Sequence, residues 1–124
     1  MNVVDSCGWL EYFSNGPNAE IFAEPIQEVA NLVVPTLSMY EVFKVALREK
    51  GEDAALQAVA IMKQAKEVDL NSSLAIQAAK ISFDLKMPMA DAIILTTARA
   101  YQATVWTQDD DFAGLSGVKY FVKP

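Results

Sequence analysis

Short runs of β-branched and aromatic residues alternate along this chain with longer stretches of helical periodicity, and that alternation limits the fold more than any other feature. The runs are Asn2–Val4, Leu32–Val34, the weaker Glu67–Leu70, Thr104–Trp106 and Val118–Val122. Between them, helices are predicted over Cys7–Ser14, from Asn18 or Ala19 to about Val29 with a break or kink at Pro25, from the Thr36 or Ser38 cap to Lys50, and over Glu52–Ala65. Two more are predicted, one after the Asn71-Ser72-Ser73 cap with the stripe Leu74, Ala78, Ile81, Leu85, and one from Pro88 to about Tyr101. Gly51 stops the helix before it, and Gln108–Ala113 reads as a turn. Strands separated by helices pair in parallel, and a parallel sheet must be covered on both faces. The chain is therefore expected to be α/β, with ligands at the carboxyl ends of its strands.

Composition narrows the chemistry. Hydrophobic residues make up 52% of the 124 positions and charged residues 21%, a balance that supports a packed core. No repeat, low-complexity tract or linker divides the sequence, so residues 1–124 are expected to form a single domain. No apolar run approaches the roughly 20 residues of a membrane span, and the first residues lack the pattern of a secretory signal. With the lone Cys7 this predicts a cytoplasmic protein without membrane association. The net charge of −6 argues against a broad basic platform for nucleic acid. There is no histidine, so Ser-His-Asp triads and histidine-bound zinc are excluded, and one cysteine cannot build a zinc cage. Carboxylates, hydroxyls, lysines or a hard metal ion must carry any chemistry.

Four acids fit that requirement. Asp5 ends the first run and Asp109 follows the fourth, both at the carboxyl edge of the expected sheet. Glu41 lies four residues from both Leu37 and Val45, within an apolar flank, and Asp91 heads the stripe Ile94, Leu95, Ala98, Tyr101. Each has an ordinary explanation as well: a helix cap for Asp5, a turn for Asp109, an ion pair with Lys44 for Glu41, the helix dipole for Asp91. A buried unpaired carboxylate costs several kcal/mol, roughly, unless something compensates it. If the four converge, a divalent cation is the simplest compensation, and oxygen ligands suit Mg²⁺ or Mn²⁺.

At these residues the sequence resembles a PIN domain, specifically the VapC-type toxins of toxin–antitoxin pairs. The resemblance is carried by four segments in order: Val3-Val4-Asp5-Ser6-Cys7-Gly8-Trp9-Leu10-Glu11-Tyr12-Phe13, Pro35-Thr36-Leu37-Ser38-Met39-Tyr40-Glu41, Met87-Pro88-Met89-Ala90-Asp91-Ala92-Ile93-Ile94 and Thr107-Gln108-Asp109-Asp110-Asp111-Phe112. It implies a three-layer α/β/α fold with a central parallel sheet of four to five strands, and a Mg²⁺- or Mn²⁺-dependent endoribonuclease in which metal-activated water attacks a phosphodiester. It implies that Asp5, Glu41, Asp91 and Asp109 form the acidic metal site, with Ser6 and Thr107 as supporting hydroxyls and Asp111 as a further acid beside them. It also implies an RNA substrate, a homodimer, and a cognate antitoxin protein that plugs the acidic cleft in a hetero-oligomer. Trp9, Tyr12, Phe13, Phe22, Tyr40 and Phe43 are open to interface or core, and Lys44, Arg48 and Lys86 to contact with the RNA backbone or to plain solvation.

Three other readings stay open: a PIN ribonuclease of RNA processing outside toxin–antitoxin systems, a receiver-like signalling module, and a non-catalytic acidic interaction protein. A receiver would carry adjacent acids after its first strand, whereas Asp5 stands alone, and a haloacid-dehalogenase-type phosphatase would need an acid where Cys7 stands.

Overall fold

The computed structural model describes residues 1–124. Strand β1 (Asn2–Val4) leads into α1 (Ser6–Ser14), α2 (Ala19–Gln27), a 3₁₀ turn at Val29–Asn31 and β2 (Val33–Pro35). Helices α3 (Thr36–Lys50) and α4 (Glu52–Met62) precede β3 (Lys66–Val68), and α5 (Ser72–Leu85) and α6 (Met89–Ala100) precede β4 (Thr104–Thr107). A 3₁₀ turn at Asp110–Phe112 connects to β5 (Val118–Tyr120).

All pairings are parallel. One ladder runs β1-β4-β5 and the other β2-β3, and a parallel bridge between Asn2 and Leu32 brings their edges together in the order β3-β2-β1-β4-β5. This is the expected α/β architecture with five strands. Successive residues of each central strand bury toward opposite faces. Val3, Val33 and Val105 pack with Leu74, Ile94 and Leu95 of α5 and α6, while Val4, Val34 and Trp106 pack with Trp9, Phe22, Val42 and Met62 of α1–α4. Burying each such aliphatic side chain contributes about 1.5–3 kcal/mol. No helix is long and apolar enough to cross a membrane.

Most element ends match the sequence reading, and the exceptions have local causes. Helix α4 stops at Met62 rather than Ala65 because Gln64 and Ala65 donate to the carbonyls of Ile61 and Met62, tightening the chain into the turn before β3. Strand β3 lies at the sheet edge with only Val68 buried, so its pattern is weak and its observed span falls one to two residues earlier. Pro35 belongs to β2, opposite Val68, and α3 starts without a side-chain cap; Thr36 and Ser38 do not serve as one. Asn71 does cap α5, accepting from the Leu74 amide at 2.9 Å.

Between β1 and β4 the connections depart to opposite sides, since β1 leads toward β2 and β3 while the chain returns across to β4. A crevice at such a switch point, at the carboxyl ends of the strands, is where this architecture places ligands.

Candidate metal centre

Asp5 leaves β1 in extended conformation and caps α1, its Oδ1 accepting from the Ser6 amide at 2.8 Å. The ordinary cap explanation thus holds, and it leaves the second oxygen to other partners. That Oδ2 accepts from the Thr107 hydroxyl at 2.9 Å and from the Cys7 thiol at 3.2 Å. Thr107 ends β4, and its Oγ1 in turn accepts the Asp109 amide at 3.0 Å. One buried hydroxyl therefore ties the two strand-end acids to each other. Asp109 also orders the turn after it, its Oδ1 accepting the Asp111 amide at 2.9 Å.

Asp91 enters from the other side of the crevice, in the first turn of α6, where Ile94, Leu95 and Ala98 hold the helix against the sheet. Carboxylate oxygens of Asp5, Asp91 and Asp109 all lie within 4.8 Å of one another. Asp109, Asp110 and Asp111 form a second, more exposed trio of the same spacing. Of these three, Asp109 is the one grouped with Asp5 and Asp91, while Asp111 faces Asp91 from the outer side.

Glu41 is placed differently. It stands on α3 outside the tight trio, close enough to Asp5 for the two charges to interact. Its Oε1 is buried and has no hydrogen-bond partner. The Ser6 side chain is near enough to favour the charged form, but no hydrogen bond of ordinary geometry joins them. Lys44 does not pair with Glu41; its Nζ sits 5.8 Å from the centre of the Tyr40 ring.

The electrostatics are those of like charges crowded in a partly dry cleft. Burial raises the Asp5 carboxyl above its ordinary value, against the opposing effect of the Cys7, Thr107 and Ser6 hydrogen bonds. Burial also raises Glu41. Asp91 is pushed up to about 7, by burial first and then by the charges of Asp5, Asp109 and Asp111. The salt bridges of the molecule, Arg48–Glu49, Lys63–Glu67 and Lys80–Asp84, are exposed and touch none of these acids. Negative charge is thus concentrated with no protein cation to balance it. Hard oxygen donors, their spacing and the unpartnered Glu41 oxygen fit a divalent ion such as Mg²⁺ or Mn²⁺.

The sequence reading gave Cys7 no part in the site. It contacts Asp5 and lies 3.4 Å from Thr107 Oγ1, and its thiol is pushed up to about 12 by burial and by Asp5. Its position two residues after Asp5, on the first turn of α1, was the available signal. Asn18 and Gln108 were also missed. Both are buried, and Asn18 Nδ2 donates to Gln108 Oε1 at 3.0 Å and to the Val122 carbonyl at 3.2 Å, bracing the residue between Thr107 and Asp109. Beside the cluster, a groove of about 480 Å³ between α1, α3 and α4 is lined by Leu10, Phe13, Val45 and Ile61, with Cys7 and Gln108 at its site-facing end. Of the aromatic residues left open, Trp9 and Phe22 are core, while Tyr40 is 61% exposed.

A family model described as the PIN domain matches residues 3–118. No protein of curated function matches the sequence. Among solved structures, a toxin-antitoxin complex from Klebsiella pneumoniae is similar at 21% identity, covering 99% of this chain and 100% of that one, with a TM-score of 0.83. VapC20 of Mycobacterium tuberculosis, a sarcin-ricin loop cleaving toxin, is similar at 16% identity over 95% and 97% of the two chains, with a TM-score of 0.79. VapBC2 of Rickettsia felis, bound to a DNA fragment from its promoter, is similar at 11% identity over 98% and 97%, with a TM-score of 0.74. At these identities the likeness is one of fold.

Proposed function

Because the chain belongs to the PIN-domain family, we propose that it is a Mg²⁺- or Mn²⁺-dependent endoribonuclease of the VapC type, the toxin of a type II toxin–antitoxin pair. The observation that carries this reading is the gathering of Asp5, Asp91 and Asp109 from three distant parts of the chain to within 4.8 Å, with no lysine or arginine paired to them.

In this reading Asp5, Asp91 and Asp109 hold the cation, with Glu41 beside them. A bound divalent ion supplies positive charge to the phosphate and the leaving oxygen and makes water a better nucleophile. Thr107 fixes the relative orientation of Asp5 and Asp109 through its two hydrogen bonds. Ser6 supports Asp5 through its amide and lies at Glu41. Glu41, with one oxygen free of partners, is suited to take the proton of the attacking water. Asp111 adds negative charge facing Asp91 and is suited to shape the outer rim of the site.

The partners follow from the same reading. A cognate antitoxin protein has an apolar bed in the groove between α1, α3 and α4, which ends beside the acidic cluster, where a cationic side chain would find uncompensated charge. The solved relatives described as a toxin-antitoxin complex and as VapBC support such a partner, and the one described as cleaving the sarcin-ricin loop supports an RNA substrate. We place the protein in the cytoplasm, as a homodimer that joins a toxin–antitoxin hetero-oligomer.

The test is expression of the intact chain beside Asp5→Asn and Asp91→Asn variants in growing cells, followed by RNA cleavage assays on the purified proteins. Only the intact chain should arrest growth and cut RNA, losing the activity to EDTA and regaining it with Mn²⁺ or Mg²⁺. Equal arrest or cleavage by the variants would overturn the assignment.

A further inference from the structure

The Asp5 carboxylate has more donors than its role as a helix cap requires. Oδ1 is used by the Ser6 amide, and Oδ2 faces both the Thr107 hydroxyl at 2.9 Å and the Cys7 thiol at 3.2 Å. Cys7 Sγ and Thr107 Oγ1 are themselves 3.4 Å apart, so the three atoms form a closed triangle. The protons can be counted. The Thr107 hydroxyl has one, given to Asp5, and its oxygen already accepts the Asp109 amide. The thiol has one, and the anionic oxygen of Asp5 at the shorter distance is the better acceptor for it. Two donors from different elements, one on α1 and one on β4, therefore converge on one carboxylate oxygen.

A single hydrogen bond leaves a carboxylate free to rotate about its Cβ–Cγ bond, whereas donors on both oxygens, with two on one of them, fix its plane. We infer that Cys7 is a positioning residue of the acidic site: its thiol, together with the Thr107 hydroxyl, holds the Asp5 carboxylate in one orientation beside Asp91 and Asp109, with one lone pair of Oδ1 left for a cation. The inference rests on the metal-site reading above, and it assigns the lone cysteine a task that neither a disulfide nor a nucleophile would explain. The outward side of the same residue lines the groove between α1, α3 and α4, so the thiol is also the point where that groove meets the cluster.

Because the chain has one cysteine, its S–H stretching vibration reports on this residue alone, in a region of the infrared spectrum where other protein groups do not absorb. The intact protein should show the band shifted to lower frequency by the carboxylate acceptor, and Asp5→Ala should move it back toward the position of a free thiol. Mn²⁺ binding to the metal-free protein, measured by calorimetry with Mn²⁺ alone as the probe, should weaken roughly tenfold in Cys7→Ala and recover to within about threefold of the intact chain in Cys7→Ser, as expected for an outer support of a ligand. Thermal melting of each variant separates loss of fold from loss of support. An unshifted S–H band, or Mn²⁺ affinity in Cys7→Ala equal to that of the intact chain, overturns this inference alone. Failure of the intact chain to bind Mn²⁺ overturns the metal-site reading with it.

Discussion

Asp91 is the residue on which charge, burial and function press hardest. Its carboxyl is raised from an ordinary 3.8 to about 7, chiefly by burial and then by three neighbouring acids. The folded chain therefore keeps a proton that the unfolded chain releases, so it binds more protons across that interval, and stability falls as pH rises from about 4 to about 7. Metal-free protein in EDTA should melt at a lower temperature at pH 8 than at pH 5, measured by circular dichroism. Mn²⁺ should raise the melting temperature more at pH 8, where no proton competes for the carboxylates. Asp91→Asn should flatten the pH dependence and raise the metal-free Tm at pH 8 by a few degrees, on the order of 1 kcal/mol after allowance for solvent screening of a half-buried group. The same variant should lose RNA cleavage. A metal-free Tm that climbs between pH 5 and pH 8 would contradict the charge crowding on which the site depends.

Helix α1 is the element that makes the site, because it must lie close enough to β1 and α2 for Asp5 to face the crevice while capping the helix. That closeness is enforced at Gly8. A Cβ there would come within 2.7 Å of Phe22 Cδ1 and of Val4 Cγ1, both in the packed core. Gly8→Ala should therefore cost about 1–3 kcal/mol in urea denaturation, the usual penalty of overpacking, although alanine is the better helix former. Stability equal to the parent would show that α1 can shift without consequence. The second brace is the buried Asn18, whose side chain joins Gln108 to Val122. Asn18→Ala should destabilise by about 1–3 kcal/mol, since it strands buried polar groups, and should lower Mn²⁺ affinity by loosening the segment that carries Asp109.

Across the whole molecule, negative charge outweighs positive by six, and the acids of the site add to a field that an RNA backbone must approach. Long-range repulsion is screened by salt, with a Debye length of about 30 Å at 0.01 M and about 8 Å at 0.15 M. At fixed Mg²⁺, raising NaCl over that range should leave kcat/KM for RNA cleavage unchanged or higher. A basic nucleic-acid binder loses affinity steeply under the same change. A fall of about tenfold or more would show that a local cationic surface, rather than the metal, recruits the substrate.

From the sequence alone came the alternation of strands and helices, the parallel sheet and the acids that follow β1 and β4. These are written in local chemistry: Val3-Val4 and Val33-Val34 bury on both faces, Asn71 caps a helix, and Pro88 precedes one. Asp91 was legible as an inward-facing acid because it heads the apolar stripe Ile94, Leu95, Ala98, and in the structure α6 is buried on every side from Ala92 to Ala98. The contacts that decide chemistry were not local. That Asp5, Asp91 and Asp109 meet while Glu41 stands slightly apart depends on how α3 and α6 settle against the sheet, and no residue spacing encodes that distance. Thr107 meets Asp5 across the β1–β4 seam, 102 residues away in sequence, and it meets Cys7 across the same seam. Side-chain periodicity can say which face of an element is buried; only packing decides which buried polar atoms share a hydrogen bond.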